Sequence, residues 1–344
     1  MTRQGKIFYG WWVVIALFLV EMFAPMTRYS MTAFLPFISS ELGWSRLLIG
    51  LAQSLACWTH ALFVLLTGWM TDRVGGRKTI FLGGFLALCG WILFSTTKSL
   101  WQLYLYYGVI MAIAMSLSHL VPLQATGRKW FTKRAGLVAG IITSALGVGL
   151  AIFMPLLTAM SGSIGWRTTS VICAFAFGIS VMLLALFIIR DTPESIGLHP
   201  DGEGSTPVLN GKETVQEEFW TTREAVKTPQ LWLLFVTYSA FLIPVCGLLA
   251  HLVVWGVDLG SPVAGAGIFM TAMTAPSIVA KVGGGWLGDR YGKRQVIIIS
   301  NIFCLLVMLW AWLGIQTAQH LIIFAALVGI GYGAGFGLYP PLYW

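Results

Sequence analysis

The sequence predicts an all-α membrane protein, a helical bundle built as two related halves. Three observations predict it. Of its 344 residues, 57% are hydrophobic and only 10% charged, whereas ordinary soluble domains carry about 25% charged residues. Ten apolar runs each reach the ~20 residues a helix needs to cross a bilayer. An eleven-residue stretch occurs twice: Gly68-Trp-Met-Thr-Asp72-Arg73-Val-Gly75-Gly-Arg77-Lys returns 217 residues later as Gly285-Trp-Leu-Gly-Asp289-Arg290-Tyr-Gly292-Lys-Arg294-Gln, with six of eleven positions identical. Each copy sits where an apolar run meets a charged turn. Paired halves of this kind are the architecture of secondary transporters, whose halves rock about a central substrate site. The alternating ten-residue strands a membrane barrel needs are absent from the sequence.

The first run, 9–38, is longer than thirty residues and has no small-residue cleavage site, so it reads as a retained helix and not as a cleavable signal peptide. Runs 47–70 and 79–97 flank the first copy of the turn, and 100–126, 135–160 and 167–189 complete a six-helix half over 1–189. Residues 190–228, with Asp191-Thr-Pro-Glu and His199-Pro-Asp-Gly-Glu-Gly, form a Pro-, Gly- and Glu-rich linker between the halves. Runs 229–257, 263–287, 295–315 and 318–344 are helices 7–10, in a second half over 229–344. Subtracting the repeat offset from Trp344 gives position 127, the end of the fourth helix. The expectation is therefore ten of twelve helices, with the chain truncated after helix 10.

Side-chain placement fits this plan. Trp11, Trp12, Trp44, Trp69, Trp101, Trp130, Trp166, Trp232, Trp255 and Trp286 cluster at run ends and read as interface anchors. Gly329, Gly333 and Gly337, then Gly331 and Gly335, make i, i+4 stripes on helix 10, and Gly136 and Gly140 open helix 5. Such stripes predict close helix packing, with a flexible gating helix as the other reading. Cys57, Cys89, Cys173, Cys246 and Cys304 all fall inside apolar runs, too far apart for a local metal motif, and read as packing residues.

The net charge of +8 does not indicate a nucleic-acid partner, because of where the cations lie. With the N-terminus inside, sixteen of the 21 Lys and Arg residues fall in internal segments and only Arg46, Lys98 and Arg167 in the opposite loops. The positive-inside rule then predicts a multi-pass protein of the cell membrane, a bacterial inner membrane, with a cytoplasmic N-terminus.

The repeated turn resembles the signature of the major facilitator superfamily between helices 2 and 3, Gly-x-x-x-Asp-Arg-x-Gly-x-Arg-Arg/Lys. In that family the Asp faces the N-terminal end of a helix of the other half, where the helix dipole favours an anion, and helps hold one conformation. The resemblance implies conformational gating by Asp72, Arg73, Arg77, Asp289, Arg290 and Arg294, alongside topology anchoring by the arginines. Asp289 is expected to face the start of helix 5, near 134–140, and Asp72 to face helix 11, which this sequence lacks.

Phe8-Tyr9-Gly10-Trp11-Trp12-Val13-Val14, Arg128-Lys-Trp-Phe131-Thr-Lys-Arg134-Ala-Gly136-Leu, Gly165-Trp166-Arg167 and Ile196-Gly-Leu-His-Pro-Asp-Gly202 resemble the bacterial branch related to monocarboxylate transporters and oxalate:formate antiporters. In that branch a helix-8 cation, usually Arg, binds the substrate carboxylate four residues before the glycine that opens the second turn. Here that position is Lys281, a point charge in place of a bidentate fork. The Asp that monocarboxylate transporters carry one turn earlier is Ser277 here, and Arg28 falls within about one residue of their helix-1 cation, as the resemblance aligns it.

The residues support this independently. An ionised side chain at bilayer depth costs at least about 2.5–3.5 kcal/mol, so it faces a cavity or a partner. Glu21, Arg28 and Lys281 are the three such charges. A structural salt bridge is the plainer alternative, and Arg28 could also snorkel outward. Glu21 and Arg28 share a helix face but stand about 10.5 Å apart along it, too far for one tight bridge. Measured from the cytoplasmic ends, Glu21 lies about 18 Å deep, Lys281 about 12 Å and Arg28 about 28 Å. Glu21 is thus the nearer in depth to Lys281 and the candidate proton-coupling acid. With all three ionised, the charge is +1, which one monocarboxylate would neutralise.

His60, His119 and His251 are expected at different depths, respectively mid-membrane, in the inner third and near the outer end, and so read as packing residues. His119, and Tyr29 beside Arg28, remain candidate substrate contacts. His199 and His320 fall in loops. Gly283-Gly-Gly285-Trp-Leu-Gly288 matches a dinucleotide pattern but follows no strand. There is no GxxxxGK[ST], HExxH or GxSxG, so no cofactor and no enzyme activity are expected.

The sequence therefore reads as a secondary transporter of small organic anions, monocarboxylates of the lactate and pyruvate type, with protons as possible co-substrates. Alternating access would expose Arg28 and Lys281 to each side in turn. The rivals are an oxalate:formate type exchanger and, from another class, a non-transporting receptor or scaffold.

Overall fold

The computed structural model describes residues 8–202, 224, 226–261 and 267–339. All regular structure among them is helical. The chain divides into two compact units, Met1–Gly202 and Glu203–Trp344.

In the first unit, six crossings run in order: α1 (Tyr9–Leu42), α2 (Arg46–Val74), α3 (Gly76–Ser95), α4 (Leu100–Trp130), α5 (Ala135–Ile164) and α6 (Trp166–Phe187). The second unit holds α7 (Pro229–Asp258), α8 (Gly267–Tyr291), α9 (Lys293–Gly314) and α10 (Ala318–Phe336). Among the described residues, nine of these are long and apolar enough to cross a membrane. The tenth, α8, has the length, but Lys281, three successive glycines and the Asp289-Arg290 pair dilute its apolar content.

Turn chemistry sets the helix ends. Gly75 and Gly292, equivalent positions in the two copies of the repeated turn, both adopt φ +98°, a region glycine enters without a Cβ penalty. The repeat in sequence is therefore a repeat in backbone. Ser45 starts α2 by accepting a hydrogen bond from the Leu48 N–H at 3.3 Å, as N-cap serines do.

Small residues let helices approach closely. A Cβ on Gly149 of α5 would collide with the Met22 carbonyl oxygen of α1. In the second unit, Gly329 and Gly333 of α10 lie against the carbonyls of Met273 and Ser277 on α8, while Gly331 and Gly335 meet Cys304 and Ser300 of α9. Both predicted stripes are thus packing faces, although Gly337 lies just past the end of α10. The cores behind them are apolar: Leu17, Val20, Phe34, Trp91 and Phe177 in one unit, Phe269, Met273, Phe324 and Val328 in the other. Leu47, Trp58, Leu62 and Leu65 of α2 and Trp312 of α9 point outward, an arrangement suited to hydrocarbon.

Several expectations need correction. Trp130 and Trp166 are fully buried, not interface anchors: their indole N–H groups donate to the Arg190 carbonyl at 2.9 Å and to Glu41 Oε2 at 2.7 Å. An indole can enter the core when its one donor is satisfied. Cys57 and Cys246 are exposed, unlike the buried Cys173 and Cys304. His320 lies in the first turn of α10, its N–H bonded to the Thr317 hydroxyl, and not in a loop. Residues 190–202, read as linker, fold onto the first unit. Of the remaining linker, 203–223 and 225 lie outside the described residues.

Candidate functional site

Prolines remove hydrogen bonds from two helices near a buried carboxylate. Pro25, inside the helical stretch Tyr9–Arg28, has no N–H for the Glu21 carbonyl four residues earlier, and α1 is interrupted further on at Tyr29, where φ is −116° and ψ 1°. Pro122 likewise has none for Ser118. There α4 is interrupted at His119, which is extended at φ −115° and ψ −173°. A π-helical stretch, Tyr104–Met111, precedes the break; such irregularities often mark functional sites.

The break aims the His119 ring at α1. Its Nδ1 lies 2.7 Å from Glu21 Oε2, and its Nε2 lies 3.4 Å from Arg28 Nη1. Guanidinium can only donate, so Nε2 must accept; Nδ1 then carries the hydrogen and donates to Glu21. The result is a chain of carboxylate, neutral imidazole and guanidinium. Glu21 is 0% exposed and His119 3%, and Glu21 Oε1 has no hydrogen-bond partner.

Arg28 reaches from this chain to a small cavity of about 90 Å³, bordered by Thr27, Gln53, Cys57, His60, Tyr107 and Met115. Its walls are tied together. The Tyr107 hydroxyl donates to Gln53 Oε1 at 2.6 Å, and Gln53 Nε2 donates to the Arg28 carbonyl at 3.4 Å. Arg28 also lies 5.6 Å from the Tyr29 ring centroid. A site with a cation, an amide and an imidazole at its wall can hold a small carboxylate.

The structure corrects the reading of the histidines as separate. The His60 and His119 ring centroids are 5.9 Å apart, and His60 Nδ1 lies 2.9 Å from the Ser116 hydroxyl. The extended residue at the break re-aims the His119 ring, which counting along an unbroken α4 does not show. Pro122 was the available signal. His251 is on α7, exposed.

Lys281 belongs to the second unit. It is 3% exposed, with Nζ 5.3 Å from the ring centroids of both Tyr332 and Phe336 on α10, an aromatic setting that stabilises a desolvated cation. Ser277, one turn earlier, donates to the Thr274 carbonyl at 2.7 Å.

The two signature turns differ in detail. Asp72 and Arg73 are exposed, with Arg73 5.1 Å from the Trp69 ring centroid. Arg77 instead donates to the carbonyls of Ala185 and Leu186 at 3.0 and 2.7 Å, capping the C-terminal end of α6. Its own N–H donates to Asp191 at 2.8 Å, a residue that sequence reasoning assigned only to the linker. In the second unit Arg290 stands 5.5 Å from the Trp286 and Tyr291 ring centroids, Asp289 is half-buried and Arg294 exposed. A second linker carboxylate, Asp201, accepts from the Thr132 N–H and hydroxyl at 3.0 and 2.6 Å and from the Lys133 N–H at 2.9 Å. Partial burial works to raise its pKa, but these hydrogen bonds and the nearby Arg134 charge outweigh it and hold the carboxyl below its ordinary value.

Two repeated helical units carrying charges at bilayer depth define a multi-pass membrane transporter. The sequence profile of the Major Facilitator Superfamily matches residues 17–343, and the chain belongs to that family, whose members are transporters and not enzymes. It is 23% identical over 342 residues to the oxalate:formate antiporter of Oxalobacter formigenes, covering 96% of this chain and 75% of that protein. It is 26% identical to the MFS-type transporter pynF of Aspergillus niger, over 83% of this chain and 63% of the relative. To monocarboxylate transporter 12-B of Danio rerio it is 26% identical, over 96% of this chain and 73% of that protein.

Proposed function

We propose that this transporter moves small organic anions, monocarboxylates of the lactate and pyruvate type, together with a proton by alternating access. The observation that carries the reading is Arg28, which borders the small cavity and bonds at its back to the buried His119–Glu21 pair. A monocarboxylate needs one counter-charge, which Arg28 supplies; proton coupling needs a buried acid–base pair, which Glu21 and His119 supply. Tyr29 flanks Arg28, and Lys281 is the cation of the second half. Asp72, Arg73, Arg77, Asp289, Arg290 and Arg294 gate the conformational change. The cation distribution supports a cytoplasmic N-terminus in a bacterial inner membrane, with helical halves over 1–189 and 229–344 and a connecting segment, 190–228, whose first part, 190–202, packs on the first unit.

The test is uptake of labelled lactate, pyruvate, formate and oxalate by the full-length protein in proteoliposomes, with and without an inward proton gradient. Gradient-driven accumulation of a monocarboxylate supports the reading; no uptake of any acid overturns it. The second reading, anion exchange, is favoured by the likeness to a protein named as an oxalate:formate antiporter. It requires uptake only when the vesicles are preloaded with anion, with no response to the proton gradient.

A further inference from the structure

We infer that Gln53 and Tyr107 are positioning residues for Arg28: together they hold the broken turn of α1 that presents this cation at the cavity, and they act on the substrate through it. The inference rests on the organic-anion reading above and adds to it what fixes the anion-binding cation in place.

The break in α1 creates the need. In an unbroken helix the Thr32 N–H donates to the Arg28 carbonyl; here it donates to the Tyr29 carbonyl at 3.0 Å. The Gln53 amide takes up that role from α2, donating through Nε2 to the Arg28 carbonyl at 3.4 Å. The residue that carries the cation is therefore held at its backbone by a second helix, immediately before the non-helical angles of Tyr29.

Tyr107 fixes which way the amide points. Its hydroxyl has one hydrogen, and its shortest contact, 2.6 Å, is with Gln53 Oε1. With Oε1 committed to this donor, Nε2 turns its hydrogens to the Arg28 carbonyl and to Cys57 Sγ, at 3.4 and 3.8 Å. The reverse amide orientation would set two acceptors, Oε1 and the Arg28 carbonyl, against each other. The phenol oxygen also lies 3.3 Å from the carbonyls of Thr27 and Arg28, so both members of the pair reach the same turn. Tyr107 is itself anchored: it is 2% exposed, its ring centroid is 5.8 Å from that of Phe94, and it belongs to the π-helical stretch Tyr104–Met111 of α4.

The pair acts in series. Tyr107 on α4 orients the Gln53 amide on α2, and the amide orients the turn of α1 from which Arg28 reaches the cavity that all three border. A binding group works only when the residues behind it are locked. A direct role for the pair has a different signature. A group that touches the body of the substrate separates hydroxy acids from oxo acids, whereas a group that acts through Arg28 affects the carboxylate, which all these acids share.

The test measures equilibrium binding of labelled lactate, pyruvate and formate to the purified full-length protein, with wild type beside Tyr107→Phe, Gln53→Met and the double variant. Tyr107→Phe keeps the ring and removes the hydroxyl; Gln53→Met keeps the length and removes both hydrogen-bonding ends. Each should weaken binding by about two- to tenfold, the worth of one neutral hydrogen bond, and by the same factor for all three acids. The double variant should bind no more weakly than the more affected single one, because groups acting in series are not additive. Melting in detergent is followed alongside, since a role confined to stability lowers the melting temperature and leaves the affinity of the folded protein unchanged. Wild-type affinity in either single variant overturns the inference and leaves the substrate reading intact. So do losses that multiply in the double variant, or that differ by more than about threefold among the acids, which would set the pair against the substrate itself. If Gln53→Met does not fold, Tyr107→Phe decides through the same comparison of acids. Failure of every acid to bind the wild type overturns the substrate reading, and the inference with it.

Discussion

Glu21 and His119, 98 positions apart in the chain, meet at 2.7 Å with neither more than 3% exposed. His119 stands at the break in α4, and Glu21 is the residue whose carbonyl loses its helical donor to Pro25. A buried acid and base on two irregular helices form a locus whose hydrogen bonds can rearrange at small backbone cost.

Glu21→Gln should separate exchange from accumulation. The amide mimics the protonated acid, so exchange of labelled substrate between the two sides should persist at more than about a tenth of wild type, about 1.4 kcal/mol or less of lost function. Accumulation driven by a proton gradient should disappear. Continued accumulation by Glu21→Gln when the outside is acidified removes Glu21 from coupling.

Lys281→Ala and Lys281→Glu should lower saturable uptake by more than about tenfold while membrane insertion is unchanged, because a buried anion loses a counter-charge. Lys281→Arg should keep activity and shift preference among acids, since guanidinium offers a planar fork. Normal uptake by Lys281→Ala, measured at matched protein levels, would place the anion elsewhere.

Asp201→Asn should loosen the segment before α5. The Asp201 carboxyl titrates below its ordinary value in the folded protein, so its contribution to stability is complete above the unfolded pKa of about 3.9 and is lost as pH falls through the folded value. The site is partly exposed, which screens the effect to about 1 kcal/mol, or about 2–4 °C in melting temperature. Melting of wild type and variant, followed by intrinsic fluorescence, should differ by the full amount near neutral pH and converge only as pH falls through the folded value, which lies below about 3.9. A constant gap across that range would assign the effect to packing alone.

Gly149→Val and Gly333→Val test the two close helix contacts. Each Cβ would meet a backbone carbonyl, of Met22 and of Ser277 respectively, and neither backbone can retreat without moving its helix. A loss of about 1–3 kcal/mol is expected from overpacking, read as a lower melting temperature in detergent. Gly50, inside α2 and with nothing within 4 Å of its Cβ position, is the control: Gly50→Ala should melt at or above wild type, since alanine favours the helix.

Much of the fold was legible because its determinants are local. Apolar runs longer than a bilayer crossing predict helices whatever surrounds them, and the glycine of the repeated turn adopts the same φ in both copies. The site was legible only in part. Glu21 and Arg28 stood out as charges inside an apolar run, and Lys281 as the cation of helix 8. His119 was placed by counting along an unbroken helix, and the Pro122 break defeats that count. Asp191 and Asp201 read in the sequence only as parts of the linker, because composition does not reveal which backbone N–H groups a carboxylate will find.

By itself, the sequence determined the helices, their turns and which side chains must not face lipid, since transfer energy and backbone sterics act residue by residue. Tertiary structure alone decided which buried charge meets which. Hydrogen bonds of 2.7 and 3.4 Å about one imidazole depend on where two broken helices direct their side chains. A pairing across 98 residues has no local physical cause, only the packing that brings both ends to one place.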